Sequence, residues 1–539
     1  WSSDVCSSDL KKLSSIQNLG SVNIFCSDKT GTLTEGIVKV QGTVDGEGNH
    51  SDRVKTFAYL NARFETGFTN PLDESIRNLP DVNIEGYEKV DEVPYDFIRK
   101  RLSIAVSFQD KHYLITKGAV KNILEVCVSV DLANGENVLI HQVEEKIKHT
   151  QQQYSAQGFR TLGICYKDIT GDPIINKDDE TGMSFLGFIV LSDPLKAGIK
   201  ETIQELRESG ITFKLITGDN QLVATHVCAQ IGLNAEIITG NDLRAMSDEA
   251  LAMKVKEVDV FVETEPNQKE RLVRAMQKAG NVVGYIGDGI NDASALKAAD
   301  VGISVDTAVD VAKETADIVL LEKDLEVLHD GILEGRKTFI NTLKYVFITT
   351  SANFGNMISV AATSLFLPFL PLLPKQILLL NLLSDLPAMA ISSDSVDAEQ
   401  LTRPRKWDTK LIQKFMIVFG IESSLFDLLT FGVLLWFFKT SPERFQTGWF
   451  LESVATEILI LLVIRTQRTF LKSKPGKHLL YAVLFVGTVT IILPYLPFAD
   501  FLGLSPLPLP MVAGMISIAL LYALVAEFTK HYFFKRIKF

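Results

Sequence analysis

The sequence has few cysteines and little excess of basic residues, which excludes several classes of protein. Only five cysteines occur in 539 residues and none forms a Cys-x-x-Cys pair, so neither a zinc site nor a disulfide framework is indicated. Acidic residues outnumber basic ones by 65 to 54, giving a net charge of −11. This balance argues against nucleic acid as a partner. The first residues also lack the basic and long apolar stretches of a signal peptide.

Long apolar runs are missing from roughly the first 335 residues and dominate the rest. The chain length allows about three domains, and 46% hydrophobic with 22% charged residues indicates a mixed soluble and membrane protein. Most runs approach the ~20 residues that a bilayer-spanning helix needs, and buried core helices would leave no soluble face. We therefore predict a lipid-embedded all-α domain over 336–539 with six helices. They cover 344–366, 375–393, 413–437, 449–464, 479–497 and 509–528.

Basic residues occur in alternate loops of this region. The loops 401–410 and 465–477 and the tail from Lys530 are rich in Lys and Arg, whereas 494–508 has neither. The positive-inside rule then places the soluble part and the C-terminus on the cytosolic side of the plasma (inner) membrane.

Residues 26–34, Cys-Ser-Asp-Lys-Thr-Gly-Thr-Leu-Thr, follow a short apolar run that predicts a buried strand. Asp28 would lie at the carboxyl edge of an open α/β sheet, where such sheets place their chemistry. There it can act as a nucleophile, with Lys29 and Thr30 available to an incoming phosphoryl group. An Asx turn capping the strand is the alternative for a lone Asp-Lys-Thr. It does not explain two further strand-end acidic motifs, 217–220 and 287–292.

Three motifs resemble, in this order, the phosphorylation-domain motifs of P-type ATPases. They are Asp-Lys-Thr-Gly-Thr-Leu-Thr, Thr-Gly-Asp-Asn and Gly-Asp-Gly-Ile-Asn-Asp-Ala. P-type ATPases are ion pumps whose catalytic domain is haloacid-dehalogenase-like, a doubly wound parallel sheet. The resemblance covers nearly the whole chain from about Lys11. The catalytic residues that it implies are Asp28, Lys29, Thr30, Thr217, Gly218, Asp219, Lys269, Asn291 and Asp292.

The same resemblance implies a catalytic Mg²⁺. Asp28, Asp288 and the carbonyl of Thr30 would hold the ion, and Asn291 and Asp292 would support that shell. Thr217 and Gly218 would hold the phosphoryl oxygens, whose charge Lys269 would neutralise.

Residues 36–184 interrupt the alternation of strands and helices and predict an inserted α+β nucleotide-binding domain. The phosphorylation domain would then comprise 11–35 and 185–335, with a strand at 185–191 resuming its pattern. A nucleotide pocket needs an aromatic ring, close backbone approach and positive charge, although each signal alone is weak and Phe97 fits an ordinary core residue. The resemblance implies ATP as a cofactor. Its contacts would be Asp73, Phe97, Lys117, Gly118, Arg160, Thr217, Gly218 and Asp219.

Polar residues inside the apolar runs are candidate ligands of a transported ion. Asn353 and Asn356 are about one helical turn apart and share a face. Asn381 and Asp385 precede a proline that can free backbone carbonyls for a cation, and Glu457 adds a carboxylate. Hydrogen bonding between helices is the alternative for the asparagines.

Several short segments resemble those of the bacterial magnesium-transporting subgroup of P-type ATPases. They are 70–73, 353–356, 403–408 and 445–450. Mg²⁺ is usually held by one or two carboxylates and water, whereas Ca²⁺ prefers several oxygen ligands. Ser384-Asp385 and Glu457 instead resemble calcium pumps. The expected order for the transported divalent cation is Mg²⁺, then Ca²⁺ or Mn²⁺, with H⁺ last.

Two other classes of function are open. A membrane-tethered haloacid-dehalogenase-like phosphatase would usually carry a second Asp two residues after the nucleophile, where this sequence has Thr30. A longer-lived phosphoenzyme, and hence a pump, is favoured. A non-catalytic membrane scaffold is disfavoured by the intact motifs.

The beginning of the sequence carries a further expectation. Residues 1–10 contain Ser-Ser-Asp twice and are interpreted as an artefactual or non-native segment without a fold. The family's actuator domain, with its Thr-Gly-Glu-Ser loop, and its first four membrane helices are not in the sequence. We therefore expect a truncated pump that does not transport ions by itself.

Overall fold

A computed structural model describes residues 8–12, 14–67, 71–96, 98–109, 111–132, 135–170, 174–233, 236–321 and 325–536. Phe97 and most of the segment 1–10 lie outside these ranges. The chain forms two compact units, one of residues 22–329 with the segment up to 13, the other of residues 14–21 and 330–539.

The first unit contains two eight-stranded sheets. In chain order the strands are β1 (Ser8–Leu10), β2 (Ile24–Ser27), β3 (Lys39–Val44), β4 (Glu88–Asp96), β5 (Arg101–Phe108), β6 (Lys111–Ala119), β7 (Cys127–Asp131), β8 (Asn137–Leu139), β9 (Arg160–Ile169), β10 (Met183–Ser192), β11 (Thr212–Ile216), β12 (Ile237–Thr239), β13 (Val260–Val262), β14 (Val283–Ile286), β15 (Val301–Val305) and β16 (Ile318–Leu320).

The parallel sheet has the order β1-β16-β15-β14-β2-β11-β13-β12. Every pair from β16 to β12 is parallel, and β1 adds an antiparallel edge strand. The chain moves to one side of β2 with β11–β13 and to the other with β14–β16, so β2 lies at the point where the strand order reverses. This confirms the predicted doubly wound sheet and places the end of β2 where such sheets bind ligands. The pairing of β1 also means that part of the segment 1–10, expected to lack a fold, forms a strand.

The second sheet is mixed and has the order β4-β5-β6-β9-β10-β7-β8, with β3 also paired to β10. The strand β10 was expected to open the second half of the parallel sheet, and that placement is wrong. It pairs antiparallel with β3 and β9 and parallel with β7. A continuous buried apolar run looks the same in either kind of sheet, because only its partners distinguish them.

Helices connect and cover these strands, apart from the first helix of the chain, which belongs to the second unit. The first twelve helices in chain order are α1 (Ser14–Ser21), α2 (Asp52–Phe64), α3 (Pro71–Arg77), α4 (Val120–Leu124), α5 (Ile140–Ala156), α6 (Ile199–Glu208), α7 (Gln221–Ile231), α8 (Gly240–Ala245), α9 (Asp248–Lys254), α10 (Pro266–Lys278), α11 (Ala293–Ala298) and α12 (Asp310–Thr315). The mixed sheet has a hydrophobic core on each face, one with α2 and the other with α4 and α5.

The second unit is helical. Its long and short helices are α13 (Leu325–Ser364), α14 (Pro374–Ala390), α15 (Ala398–Leu401), α16 (Thr409–Gly432), α17 (Pro442–Ile464), α18 (Lys477–Ile492), α19 (Ala499–Leu502) and α20 (Leu509–Arg536).

Five helices in the described residues are long and apolar enough to cross a membrane, rather than the six predicted. They cover Pro374–Ser393, Thr409–Phe437, Pro442–Ile464, Lys477–Tyr495 and Leu509–Arg536. The remaining run, 344–366, largely falls in the 40-residue helix α13, where Thr, Ser and Asn side chains dilute the apolar residues. Helix α17 is the most enclosed, since 78% of its apolar stretch is buried against 33–44% in the other four. Its buried polar side chains, Glu452 among them, therefore face protein.

Candidate functional site

Asp28 follows β2 at the centre of the parallel sheet. Its backbone is extended, its Oδ1 accepts a hydrogen bond from the Lys29 N–H at 2.8 Å, and its side chain is 16% exposed. The chain then turns at Gly31, whose φ of 71° favours glycine. A Cβ at Gly31 would lie 1.7 Å from Oδ2 of Asp288. Glycine at this position therefore lets the second carboxylate approach the turn that carries the first.

Lys269 joins Asp28 to the buried carboxylate of Asp292. Its Nζ lies 3.1 Å from Oδ2 of Asp28 and 2.8 Å from Oδ1 of Asp292. The hydroxyl of Tyr285 donates to the same Asp292 oxygen at 2.7 Å. The positive charge of Lys269, on a side chain that is 4% exposed, is thus shared between two carboxylates.

This environment shifts the protonation of both partners. Burial raises the pKa of Asp28 to about 6, with Lys269 lowering it and Asp292 raising it. Burial alone would lower the pKa of Lys269, but Asp28 and Asp292 raise it above its ordinary value. The lysine therefore stays an ammonium group at neutral pH.

A second ion-pair chain runs through Asp219, after β11. Nζ of Lys29 lies 2.5 Å from its Oδ2, and Nε of Arg160 lies 3.3 Å from its Oδ1. Burial would raise the pKa of Asp219, but Arg160 and Lys29 together hold it below the usual range. Since Arg160 begins β9 of the mixed sheet, this carboxylate links the two sheets of the first unit.

The other predicted residues of this edge differ in accessibility. Thr217 is buried, and its Oγ1 accepts a hydrogen bond from the Asp219 N–H at 3.2 Å. Gly218 and Asn291 are exposed, whereas Thr30 and Asp288 are half-buried. Hydrogen-bond donors of residues 217–219, including the accessible backbone of Gly218, therefore lie at the edge that carries Asp28.

The oxygens at this edge fit a Mg²⁺ ion. Asp28 and Asp288 lie just beyond the adjacent parallel strands β2 and β14, whose register pairs Ser27 with Ile286. Carboxylate and carbonyl oxygens are the ligands that Mg²⁺ prefers, completed by water and phosphate. The described residues contain no group of three or more His, Cys, Asp or Glu that could hold a metal ion alone. Oxygens of water or of a bound phosphate group would therefore have to complete the coordination shell of the Mg²⁺ ion.

The predicted nucleotide residues fall into two groups. Lys117 of β6 is buried, and its Nζ contacts the carboxylate of Asp73 and lies 3.4 Å from Oε2 of Glu65. A Cβ at Gly118 would lie 2.5 Å from the carbonyl oxygen of Lys100, so the backbone packs closely there. Burial raises the pKa of Glu65 to about 7, while Lys117 opposes that rise. Arg160 belongs instead to the Asp219 group, and Phe97 lies outside the described residues.

A cavity of about 280 Å³ lies in the helix bundle. Asn353 of α13, Asn381 and Asp385 of α14, and Glu457 of α17 line it. The Nδ2 of Asn356 donates to Oε1 of Glu457 at 2.7 Å. The structure thus brings together all the side chains that the sequence singled out inside the apolar runs.

Two contacts of the sheet edge have no clear signal in the sequence. Oγ1 of Thr34 donates to Oδ2 of Asp193 at 2.7 Å and accepts from the Gly31 N–H at 3.0 Å. Thr34 belongs to the motif that contains Asp28, but nothing local connects it with a residue 159 positions away. Tyr285 resembles an ordinary strand core residue, and only its contact with Asp292 distinguishes it.

Comparison with known proteins gives two family matches and several longer relatives. The model "Cation transporting ATPase, C-terminus" matches residues 369–532, and "P-type ATPase, cytoplasmic domain N" matches residues 40–198. The "Magnesium-transporting ATPase, P-type 1" of Escherichia coli K12 is 41% identical over 98% of this chain. The "Calcium-transporting ATPase 1" of Bacillus cereus is 28% identical over 97% of it. The chain spans 60% of the length of the first relative and 64% of the second.

Proposed function

The chain belongs to the P-type ATPase family, and on this premise we propose that ATP phosphorylates it at Asp28, which is the aspartyl-phosphate step of a pump for a divalent cation. The observation that carries the proposal is the arrangement around Asp28. A partly accessible carboxylate lies at the strand-order reversal, 3.1 Å from a buried lysine, and Asp288 follows the adjacent strand. An open sheet binds ligands at this position.

In this reaction an oxygen of Asp28 attacks the γ-phosphorus of ATP, and the bond to the β–γ bridging oxygen breaks as ADP leaves with the electron pair. Lys269 stabilises the charge that develops on the phosphoryl oxygens. The Lys29–Asp219 ion pair holds the turn after Asp28 against the loop after β11. Bound Mg²⁺, with Asp28, Asp288 and the Thr30 carbonyl as ligands, would neutralise phosphate charge.

ATP would be held by the mixed sheet with its phosphates directed to this edge. Lys117, Gly118 and Asp73 lie together and supply charge and close backbone approach. The Nε of Arg160 is 3.3 Å from Asp219. From this position Arg160 would contact a phosphate group of ATP. Thr217 and Gly218 would contact the transferred group.

Mg²⁺ is the transported ion that we propose, with Ca²⁺ or Mn²⁺ as the alternative and H⁺ after them. The cavity offers two carboxylates, Asp385 and Glu457, together with amides, and its volume of about 280 Å³ leaves room for water. This suits an ion that dehydrates reluctantly. The higher identity to a magnesium-transporting relative, 41% against 28% for a calcium-transporting one, supports the same order. The plasma membrane, with the sheets on the cytosolic side, is the proposed location.

The test is phosphorylation of the full chain in lipid nanodiscs by ATP labelled at the γ-phosphate. We expect an acid-stable, hydroxylamine-labile adduct that Asp28→Asn abolishes. The matched control is Asp310→Asn, which changes a carboxylate that is 91% exposed and should leave labelling unchanged. Equal labelling of the Asp28→Asn variant would overturn the proposal. If the phosphorylated Asp28 is hydrolysed too fast to accumulate, with every divalent cation tested, the result would favour the membrane-tethered phosphatase.

A further inference from the structure

A second group of polar side chains lies inside the helix bundle, apart from the residues that line the cavity. At its centre is Asp427 of α16, which is buried. The hydroxyl of Ser359 donates to its Oδ2 at 2.5 Å, and Nε1 of Trp449 donates to its Oδ1 at 2.9 Å. Each oxygen of Asp427 thus accepts a hydrogen bond. Such an arrangement stabilises an ionised carboxylate.

Glu452 lies one helical turn beyond Trp449 on the same face of α17. It is 0% exposed, and the buried Thr430 hydroxyl of α16 faces it, but neither of its carboxyl oxygens accepts a hydrogen bond of normal geometry. Three titratable groups face it: Asp427 from α16, Glu457 from its own helix and Tyr522 from α20. None of them is a cation, and within the described part of the chain no ion pair reaches Glu452.

An ionised Glu452 would add a second negative charge beside Asp427 in an enclosed bundle. Burying an unpaired carboxylate is strongly unfavourable, so a neutralising ligand is needed. A hard divalent cation requires about six oxygen ligands, whereas both oxygens of Asp427 already accept from Ser359 and Trp449. A proton needs one oxygen. The geometry therefore favours a proton over a divalent ion.

We propose that Glu452 is an intramembrane proton-binding site, in which the neutral carboxylic acid holds one proton beside an ionised Asp427. The bound proton forms an O–H bond with a carboxyl oxygen of Glu452, and its release restores the carboxylate. Glu452 and Glu457 are separated by about 7.5 Å along the helix axis, so this proton is held apart from the cation cavity. The assignment rests on the burial of Glu452 and on the absence of a cationic side chain beside it among the described residues. It does not require the proposed transport function.

Infrared spectroscopy of the full chain in lipid nanodiscs tests the site. We expect carbonyl absorption of protonated carboxylic acids at neutral pH, with one band that shifts in heavy water and is missing from the spectrum of Glu452→Gln. The control Glu443→Gln alters an exposed glutamate on the same helix and should retain the band. Loss of the band on adding Mg²⁺ alone would show a cation site, and an unchanged band in Glu452→Gln would show an ionised glutamate. Either result overturns the proposal.

A second measurement uses the unmodified chain, in case Glu452→Gln does not fold. A hydrophobic carbodiimide reacts with protonated carboxyl groups in apolar surroundings, and mass spectrometry locates the adduct. We expect modification at Glu452 and none at Asp427. An adduct at Asp427 with Glu452 untouched would reverse the assignment, and no adduct at either residue would also contradict it.

Discussion

At the scale of single residues, Lys269 is the group on which the sheet edge depends most. Its Nζ lies 3.1 Å from a carboxyl oxygen of Asp28 and 2.8 Å from one of Asp292, so it pairs with both the proposed nucleophile and a neighbouring carboxylate. Removal of one partner of a buried ion pair leaves uncompensated charge and is strongly destabilising. The same lysine is placed to stabilise charge on a transferred phosphoryl group.

Lys269→Ala should slow formation of the phosphoenzyme by about 100-fold or more, because a preorganised charge stabiliser is lost. It should also lower the apparent stability by about 3 kcal/mol, since Asp28 and Asp292 remain without their cation. Initial rates of labelling and thermal unfolding in detergent measure the two effects. Lys278→Ala on the same helix, where the side chain is 59% exposed, is the control. A Lys269→Ala variant with the control's rate would contradict this role.

The pKa of Asp28 gives a pH dependence with a defined sign. Since its pKa is raised to about 6, the nucleophile is ionised above that pH and protonated below it. The labelling rate should be level at neutral pH and fall about tenfold per pH unit well below pH 6.

Asp292→Asn should move this acid limb to lower pH, because Asp292 raises the pKa of Asp28. The comparison is the midpoint of the rate–pH profile in the variant and in the unmodified chain, at one Mg²⁺ concentration. A midpoint that stays in place or moves upward would show that Asp292 does not act on Asp28 in this way.

At the scale of secondary-structure elements, the turn after β2 is held by the segment that follows β10. Beyond the Thr34–Asp193 hydrogen bond, the Lys196 N–H donates to the Leu33 carbonyl at 3.0 Å. The Glu35 N–H donates to the Pro194 carbonyl at 2.9 Å. The turn that carries Asp28 is therefore held by the segment that follows a strand of the other sheet.

A double-mutant cycle tests the Thr34–Asp193 hydrogen bond. Thr34→Val and Asp193→Ala should each lower the apparent stability by about 1 kcal/mol or more, because each breaks a buried hydrogen bond. The double variant should lose less than the sum of the two single losses, since both changes remove the same contact. Thermal unfolding of the four proteins gives the coupling. Strict additivity would show that the hydrogen bond contributes nothing.

At the scale of the whole molecule, the chain carries two places with the oxygen chemistry of a Mg²⁺ site. One lies at the ends of β2 and β14 with Asp28 and Asp288, and the other is the bundle cavity with Asp385 and Glu457. They belong to different compact units and share no residue.

Equilibrium dialysis with Mg²⁺ should accordingly separate the two sites. Asp288→Asn should weaken binding of one equivalent, and Asp385→Asn should weaken binding of another, each by about tenfold or more for loss of a charged ligand. The double variant should lose both. A chain that binds the same amount of Mg²⁺ with and without Asp385→Asn would exclude the cavity as a magnesium site.

Much of this architecture follows from local features of the sequence. Apolar runs of strand length ending in Asp or Thr-Gly-Asp predict buried parallel strands with polar ends, because a strand buried on both faces leaves only its ends for polar groups. The strand-end positions of the three acidic motifs and the apolar helices of the C-terminal half were predictable in this way. The length and periodicity of the apolar runs were sufficient for these predictions, because both are properties of neighbouring residues in the sequence.

Tertiary packing decided the rest. The buried run of β10 gave no sign of which sheet it joins. Arg160 could not be separated from Lys117 by sequence, because only the fold of the mixed sheet brings it to Asp219. The contact of Asp427 with Trp449 and the unpaired state of Glu452 arise where α16 meets α17. Such contacts depend on which helix faces meet, and the periodicity of one helix carries no information about its partner.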